Sequence, residues 1–470
     1  MKNDNVKCKS FSLSEFLVLN ILFLLPFYFI KFKYGWISLN LVEILILALV
    51  VIWFFEKLGN RGNWVNWGSW RKYWLPIILI LIGIASSLLV NKNYYVGLGI
   101  LKGWFVLPII FALIFYDNLK RDKKLLDWSL AALFCSGVFV SIEGIYYWFS
   151  GLLTFDGRLA IFYDSPNQLA MYLAPVFLIG IAKFGESSAL RNAQSLALGR
   201  EKPNFGKKAE LWKKILAIAG TLLILLNLYL TKSYGAWLAI GLTLIAILWL
   251  KYREIWSKKY LFIMIIILII LAGIASFGKF ENIKNLGNRS SLASREIIWK
   301  SAGLMIQKNT VFGIGPGNFQ NKYLEYQEYF PPYLEWAVPQ PHNLFLAFWL
   351  EAGIVGFAGF VLLLAQFFRD NKKVYPFTKI DERSNAPVRE IKKQANNNLA
   401  DKEDFGGGAI EKNRLYGTLC LVIMLYFLIH GLVDTTYWRN DMAMVFWVII
   451  SINAYLSGKI EVNEPTDGKM

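Results

Sequence analysis

The sequence predicts an all-α, polytopic integral membrane protein with about twelve transmembrane helices and one long helical extracytoplasmic loop. Three observations predict it. Of the 470 residues, 56% are hydrophobic and 16% aromatic, a composition far toward the apolar side for a soluble chain. The apolar residues fall in runs of roughly 18–25, the length that spans a bilayer core. Lysine and arginine crowd every second connector, the pattern of cytoplasmic loops.

The same observations exclude other classes. A β-barrel needs short alternating strands, and these runs are long and continuous. The net charge of +17 invites a nucleic-acid reading. Most of the basic residues lie in connectors on one side, so the charge reports topology and no nucleic-acid partner is expected. Cys8, Cys135 and Cys420 are far apart, which gives neither a disulfide framework nor a zinc spacing. Lys2, Lys7 and Lys9 precede an apolar run without a small-residue cleavage site. That run reads as an uncleaved first span, with the N-terminus in the cytoplasm.

In chain order the spans are Ser12–Ile30, Ile37–Phe55, Trp74–Val90, Gly97–Tyr116, Leu126–Phe149, Gln168–Phe184, Trp212–Leu230, Tyr234–Leu250, Tyr260–Phe277, Asn343–Phe368, Leu415–Leu432 and Met442–Leu456. The basic turns Lys57–Lys72, Lys120–Lys124, Lys183–Lys214, Lys251–Lys259 and Arg369–Arg414 all then fall inside. The expected organisation is a nine-helix membrane region over 1–277 and a long outer loop over 278–342. A tenth helix over 343–368, a cytoplasmic loop over 369–413, two last helices over 414–457 and a cytoplasmic tail over 458–470 follow. Glu186–Lys208 and Asn371–Asn413 are polar, with runs such as Asn396-Asn397-Asn398 and Gly406-Gly407-Gly408, and read as flexible.

The long outer loop is too long to be a structureless connection. Leu292–Gln307 has helical spacing, with Ser294 as its cap and with Trp299 and Met305 placed to dip into the membrane interface. Gly313-Ile314-Gly315-Pro316-Gly317 forces a turn. Asn318–Tyr329 reads as a second short helix on an aromatic surface that suits the interface or the stacking of sugar rings.

One of only two histidines, His342, stands where this loop meets the next span. An imidazole there can act as a general base toward a hydroxyl. It can equally be a polar residue before a helix that Asn343 caps. Arg289, Arg295 and Arg158 share its side, and bidentate guanidiniums suit a diphosphate; solvated loop charge is the alternative. Lys102, Glu143, His430 and Asp434 are polar residues in or beside spans, each nearer the outer face. Structural pairing, such as Lys102 with Glu143, would also account for them. Glu351 lies about 13 Å along its helix from His342. No carboxylate or histidine cluster predicts a metal, and no cofactor motif is present.

Several stretches together resemble the bacterial O-antigen ligase and polymerase superfamily. They are His342-Asn343 followed by Gly353-x-x-Gly356, Gly157-Arg158-Leu159, Ser165-Pro166-Asn167-Gln168-Leu169-Ala170, Leu230-Thr231-Lys232-Ser233-Tyr234-Gly235-Ala236-Trp237, Arg295 through Trp299, Phe312 through Phe319, and His430-Gly431-Leu432-Val433-Asp434. The resemblance implies a metal-independent glycosyltransferase of the bacterial plasma membrane, acting at its extracytoplasmic face. The donor would be an undecaprenyl-diphosphate-linked glycan and the acceptor a lipid, a glycan or a protein. It implies His342 as the catalytic residue and Arg158 and Arg295 as diphosphate binders, to which Arg289 and Lys232 are added by their charge and their side of the membrane. Asn167, Tyr234, Asn343, His430 and Asp434 support them. Tyr234 departs from the family, which usually has arginine there; Lys232 offers a point charge two residues away. Ligation, polymerisation and O-linked transfer to protein all remain open, as does a transporter, which would gather its polar residues at the midplane.

Overall fold

The computed structural model describes residues 11–35, 37–59, 67–198, 204–252, 291–331, 336, 338–374 and 407–463. Helices dominate, so the molecule is an all-α, multi-pass membrane protein. Among the described residues seven helices are long and apolar enough to cross a membrane, and Leu13–Phe29 and Tyr234–Leu250 are shorter apolar helices. The predicted ninth span, Tyr260–Phe277, and Arg289 lie outside the described residues.

The first helix, α1 (Leu13–Leu24), starts on a capping box in which Ser12 and Glu15 satisfy each other's backbone N–H groups. A 3-10 turn (Leu25–Phe29) leads to a hairpin of β1 (Lys31–Tyr34) and β2 (Ile37–Asn40), with Lys31 opposite Asn40. The sequence reading has no such strands. The chain continues through α2 (Leu41–Gly59), a 3-10 turn (Gly68–Tyr73), α3 (Trp74–Asn91) and α4 (Tyr94–Ile100). A π-helical turn (Leu101–Val106) then leads into α5 (Leu107–Arg121). The π turn has a local cause. Pro108 has no N–H to give the Trp104 carbonyl, and the Tyr437 hydroxyl donates to that oxygen instead, at 2.5 Å. The turn carries Lys102, whose Nζ reaches Glu43 Oε2 at 2.8 Å and the Ser38 carbonyl at 2.6 Å. The expected Lys102–Glu143 pair is therefore corrected to Lys102–Glu43: relative helix rotation decides such pairs, and sequence spacing does not encode it.

Next come α6 (Lys124–Phe149), α7 (Pro166–Leu198), α8 (Asn204–Leu230) and α9 (Tyr234–Tyr252). Helix α7 runs past its predicted end, so much of the expected loop Glu186–Lys208 is helical. The outer loop supplies α10 (Ser291–Lys308) and α11 (Phe319–Tyr326), which ends in a 3-10 turn (Gln327–Tyr329). Ser294 lies inside α10 and does not cap it. Met305 is fully buried in a second small core with Ile298, Ala302, Ile314, Phe319, Tyr323, Val338 and Leu350, so it does not reach the interface. The last helices are α12 (Leu344–Val374), α13 (Gly407–His430) and α14 (Asn440–Asn463).

Helix α12 organises the bundle. It packs along α3, where a Cβ on Gly83 would stand 2.4 Å from the Gly356 Cα, so the two backbones touch. Gly353 does not join that contact. Its φ of 63° and ψ of −174° break α12 into two segments, a conformation essentially reserved for glycine. The turn at Gly313–Gly317 fills the break: Ile314 N–H donates to the Leu350 carbonyl at 2.7 Å and Ile354 N–H to the Val311 carbonyl at 3.1 Å. Phe348 in the first segment stacks on Phe360 in the second, with ring centroids 3.8 Å apart. The short first segment thus carries His342 at its tip and is clamped at its base.

Candidate active site

Asn343 fixes the start of α12. Its side-chain oxygen accepts from the N–H groups of Phe345 and Leu346, both at 3.0 Å, while its amide donates to the Leu432 carbonyl at 2.9 Å. This is an N-cap that also ties the segment to the α13–α14 connection. The cap leaves His342 immediately outside the helix at φ 46°, in the left-handed region. A non-glycine residue rarely adopts it, and where one does, the surroundings impose it.

The imposed backbone aims the ring. His342 Nδ1 lies 3.0 Å from Oδ1 of Asp434, a carboxylate only 4% exposed. Asp434 Oδ1 also accepts the Thr435 N–H at 2.9 Å. Arg295 donates through Nε to the Val433 carbonyl at 2.8 Å and brings a terminal nitrogen to 3.9 Å from Asp434 Oδ2. Burial alone would raise the Asp434 carboxyl. The hydrogen bond and charge of His342, with His430 and Arg295, outweigh it and hold the group at about 2. In the neutral imidazole an ionised Asp434 accepts the Nδ1 proton, and the lone pair is then on Nε2. The His342 side chain keeps 30% of its surface exposed, so that nitrogen can meet a substrate. Trp299, in the turn of α10 after Arg295, donates its indole N–H to the His342 carbonyl at 3.3 Å.

The second group of candidates lies on the α6–α7 and α8–α9 connections. Arg158 donates through Nε to the Thr231 carbonyl at 2.7 Å and through a terminal nitrogen to Asn167 Oδ1 at 2.8 Å. Asn167 is thus its holder. Asp156 stands 3.7 Å from the guanidinium. Lys232, another left-handed residue at φ 49°, donates to the Gly157 carbonyl at 3.2 Å. Burial pulls the Arg158 guanidinium below its ordinary value; Asp156 and Tyr234 oppose this, and Arg295 adds to it. Tyr234 and Arg295 therefore both lie within electrostatic reach of Arg158, which brings the two groups of candidates near each other. Among the described residues Arg158 faces Asp156 and Arg295 faces Asp434, and guanidiniums so placed suit an anion.

His430 sits beneath. It is buried, its Nδ1 is 2.8 Å from the Tyr426 hydroxyl, and a Cβ on Gly235 would stand 3.3 Å from its Nε2. It touches the floor of the site and the start of α9 rather than its mouth. Sequence reasoning missed Tyr426, Asp156 and the Gln340–Thr435 hydrogen bond. It also missed Arg439, which is paired with Asp441 at 2.6 Å and donates to the Gln168 carbonyl at 3.0 Å. A charged pair at the edge of an apolar run was the available signal for the last. Among the described residues no group of three or more His, Cys, Asp or Glu side chains could hold a metal ion.

Residues 219–361 match the family model described as O-antigen ligase. Over this stretch the chain is similar to the O-antigen ligase family. The match contains Lys232, Tyr234, Arg295, His342, Asn343 and the Gly353 break; Arg158, Asn167, His430 and Asp434 lie outside it and join it only in space. No curated protein matches the chain. The O-antigen ligase family is one of membrane enzymes of the ligase and polymerase type, and the site occupies the start of a membrane helix.

Proposed function

We propose that this protein is a membrane glycosyltransferase that moves an oligo- or polysaccharide from undecaprenyl diphosphate to an acceptor hydroxyl. The reaction takes place at the extracytoplasmic leaflet of the bacterial plasma membrane, with both termini in the cytoplasm. The observation that carries the reading is the strained His342, held through Nδ1 by a buried, ionised Asp434 with Arg295 beside it. His342 Nε2 takes the proton of the acceptor hydroxyl. The acceptor oxygen attacks the anomeric carbon of the donor sugar, the bond from that carbon to the diphosphate oxygen breaks, and undecaprenyl diphosphate leaves with inversion at the sugar. Arg158, Arg295 and Lys232 stabilise the departing diphosphate, and Arg289 belongs with them by sequence position. Lys232 takes the place of the family's usual arginine as a point charge. Asn343 and Asn167 position His342 and Arg158, and Tyr234 and His430 shape the floor.

Reconstituted transfer tests this. Purified protein, lipid-linked glycan from the host and a host membrane extract as acceptor source should consume the donor, and the Asp434→Asn variant should not. A ladder of products identifies a polymerase, and one shifted lipid or protein identifies a ligase. Equal consumption by wild type and by variants of His342 and Asp434 would end the assignment; donor binding without consumption would favour transport.

A further inference from the structure

The outer loop carries an aromatic group that the site just described does not use. Lys308, the last residue of α10, places its Nζ 4.9 Å from the ring centroid of Tyr326 and 5.1 Å from that of Tyr329. The two rings stand 6.2 Å apart and are tilted by 56°, so the ammonium sits in the angle between them. The group is held from behind. Phe319 and Tyr323 of α11 are fully buried in the loop's own small core, and Gln327 is buried in the 3-10 turn between the two tyrosines. Yet Tyr329 is 62% exposed and Lys308 is exposed.

The surroundings decide what such rings meet. Lys322 pairs with Glu325 at 2.9 Å on the exposed side of α11, and Glu328 is exposed beside Tyr329. An exposed Tyr329 ring, a half-buried Tyr326 ring, their phenol hydroxyls and a rim of charged side chains match a pyranose. Its apolar C–H face stacks on a ring, and its hydroxyls need hydrogen-bonding partners around the edge. A lipid tail would meet that rim at a desolvation cost. Position adds a second argument. Arg295 and Lys308 lie on the same helix, α10 (Ser291–Lys308), so at 1.5 Å per residue they are roughly 20 Å apart. An oligosaccharide whose linkage carbon sits by Arg295 and His342 extends several sugar units before it reaches Tyr329.

We propose that Lys308, Tyr326 and Tyr329 form a glycan-docking subsite that binds an oligosaccharide several sugar units from the bond being made. The proposal rests on the transfer reading. The subsite grips long glycans and leaves short ones untouched, so it sets chain-length preference without entering the chemistry.

The probe is an oligosaccharide of several repeats released from the host polysaccharide, free of lipid and diphosphate, with a single repeat as control. Binding to the full-length protein in nanodiscs is read by saturation-transfer NMR. The long probe should bind wild type and His342→Ala alike, and bind Tyr326→Ala/Tyr329→Ala about tenfold more weakly. In the transfer assay that double variant should raise KM for long donors, leaving kcat and the short-donor KM unchanged. Equal binding and equal KM in wild type and double variant overturn the subsite and leave the transfer reading standing. Loss of transfer reading alone shows as tyrosine-dependent oligosaccharide binding with no donor consumption. A nitroxide at Tyr329→Cys, with the three native cysteines replaced, should respond to a water-soluble relaxant. A response to oxygen alone would make the surface a membrane contact and overturn the proposal.

Discussion

Two clusters of buried charge occupy different parts of the helix bundle, and they use the same chemistry to opposite ends. In the first, Asp117 receives Lys57 at 2.9 Å, Arg121 at 2.6 Å and the Trp53 indole at 2.9 Å. Arg121 bridges on to Glu56 at 3.1 Å, which also takes the Ser14 hydroxyl at 2.6 Å. Helices α1, α2 and α5 are tied together, and the cluster's charges are spent on one another. In the second, Asp434 receives His342 and Arg295, but the histidine keeps an exposed edge and a left-handed backbone. A carboxylate amid cations does not by itself mark a site. An unused nitrogen on a strained residue does.

The comparison breaks most easily at its two centres. His342→Ala and His342→Gly should each lower turnover by about 10²–10⁴, the usual share of a general base, as measured with purified protein at saturating donor. They should differ in stability. Both remove the ring, but glycine accepts φ 46° and alanine does not, so the glycine variant should be more stable by about 1 kcal/mol in thermal unfolding. Asp117→Asn should do the reverse. It removes the carboxylate that Lys57 and Arg121 share and should cost about 3 kcal/mol of stability, while the folded fraction keeps wild-type kcat. If Asp117→Asn instead lowers kcat in the folded fraction, the division between tether and site is wrong.

A smaller effect is expected where the two segments of α12 meet. A Cβ on Gly353 would stand 2.1 Å from the Val311 carbonyl, and the backbone there suits glycine alone. Gly353→Ala should cost about 1–3 kcal/mol from backbone strain and loosen the loop from α12. Hydrogen exchange should then speed up at Ile314 and Ile354, whose N–H groups bridge the break. Unchanged protection at both would show that the break is not what holds the loop.

These residues also show how far the sequence could be read. The spans follow from apolar run length, the cap from Asn343 before a run of Leu and Phe, and the turn from three glycines spaced two apart. All are local signals; the structure agrees at the cap and the turn, while Ile37–Asn40 of the predicted second span forms a strand and its helix starts only at Leu41. The break at Gly353 was hidden because glycine in an apolar helix reads as a close-packing residue. Its neighbour Gly356 does have that role, and only the arrival of the Gly313 turn separates the two. The candidate residues were named individually; their grouping was not legible. Asp434 meets His342 across ninety-two positions of chain, and Arg158 meets Asn167 nine positions away and Thr231 on a separate connection. Lys102 found Glu43 and not Glu143 for the same reason: helix rotation and order in the bundle belong to packing, which one sequence does not display.

The smallest expected effect concerns pH. Asp434 is held at about 2, below its ordinary 3.8. A carboxyl lowered on folding stabilises the fold fully above its unfolded value, and that contribution is lost as pH falls from 3.8 toward 2. From neutral pH down to mildly acidic pH, Asp434 should therefore add no slope to the unfolding temperature. Removing His342 takes away the hydrogen bond that most opposes burial, and burial then pushes the carboxyl up. In His342→Gly the acid loss of stability should begin at higher pH than in wild type, by about one unit or more. Superimposable pH profiles of unfolding temperature for the two proteins would mean that His430, Arg295 and the Thr435 N–H keep Asp434 ionised without His342. His342 would then be oriented by the carboxylate without stabilising it in return, and the resemblance to the reciprocal pairing around Asp117 would be only geometric.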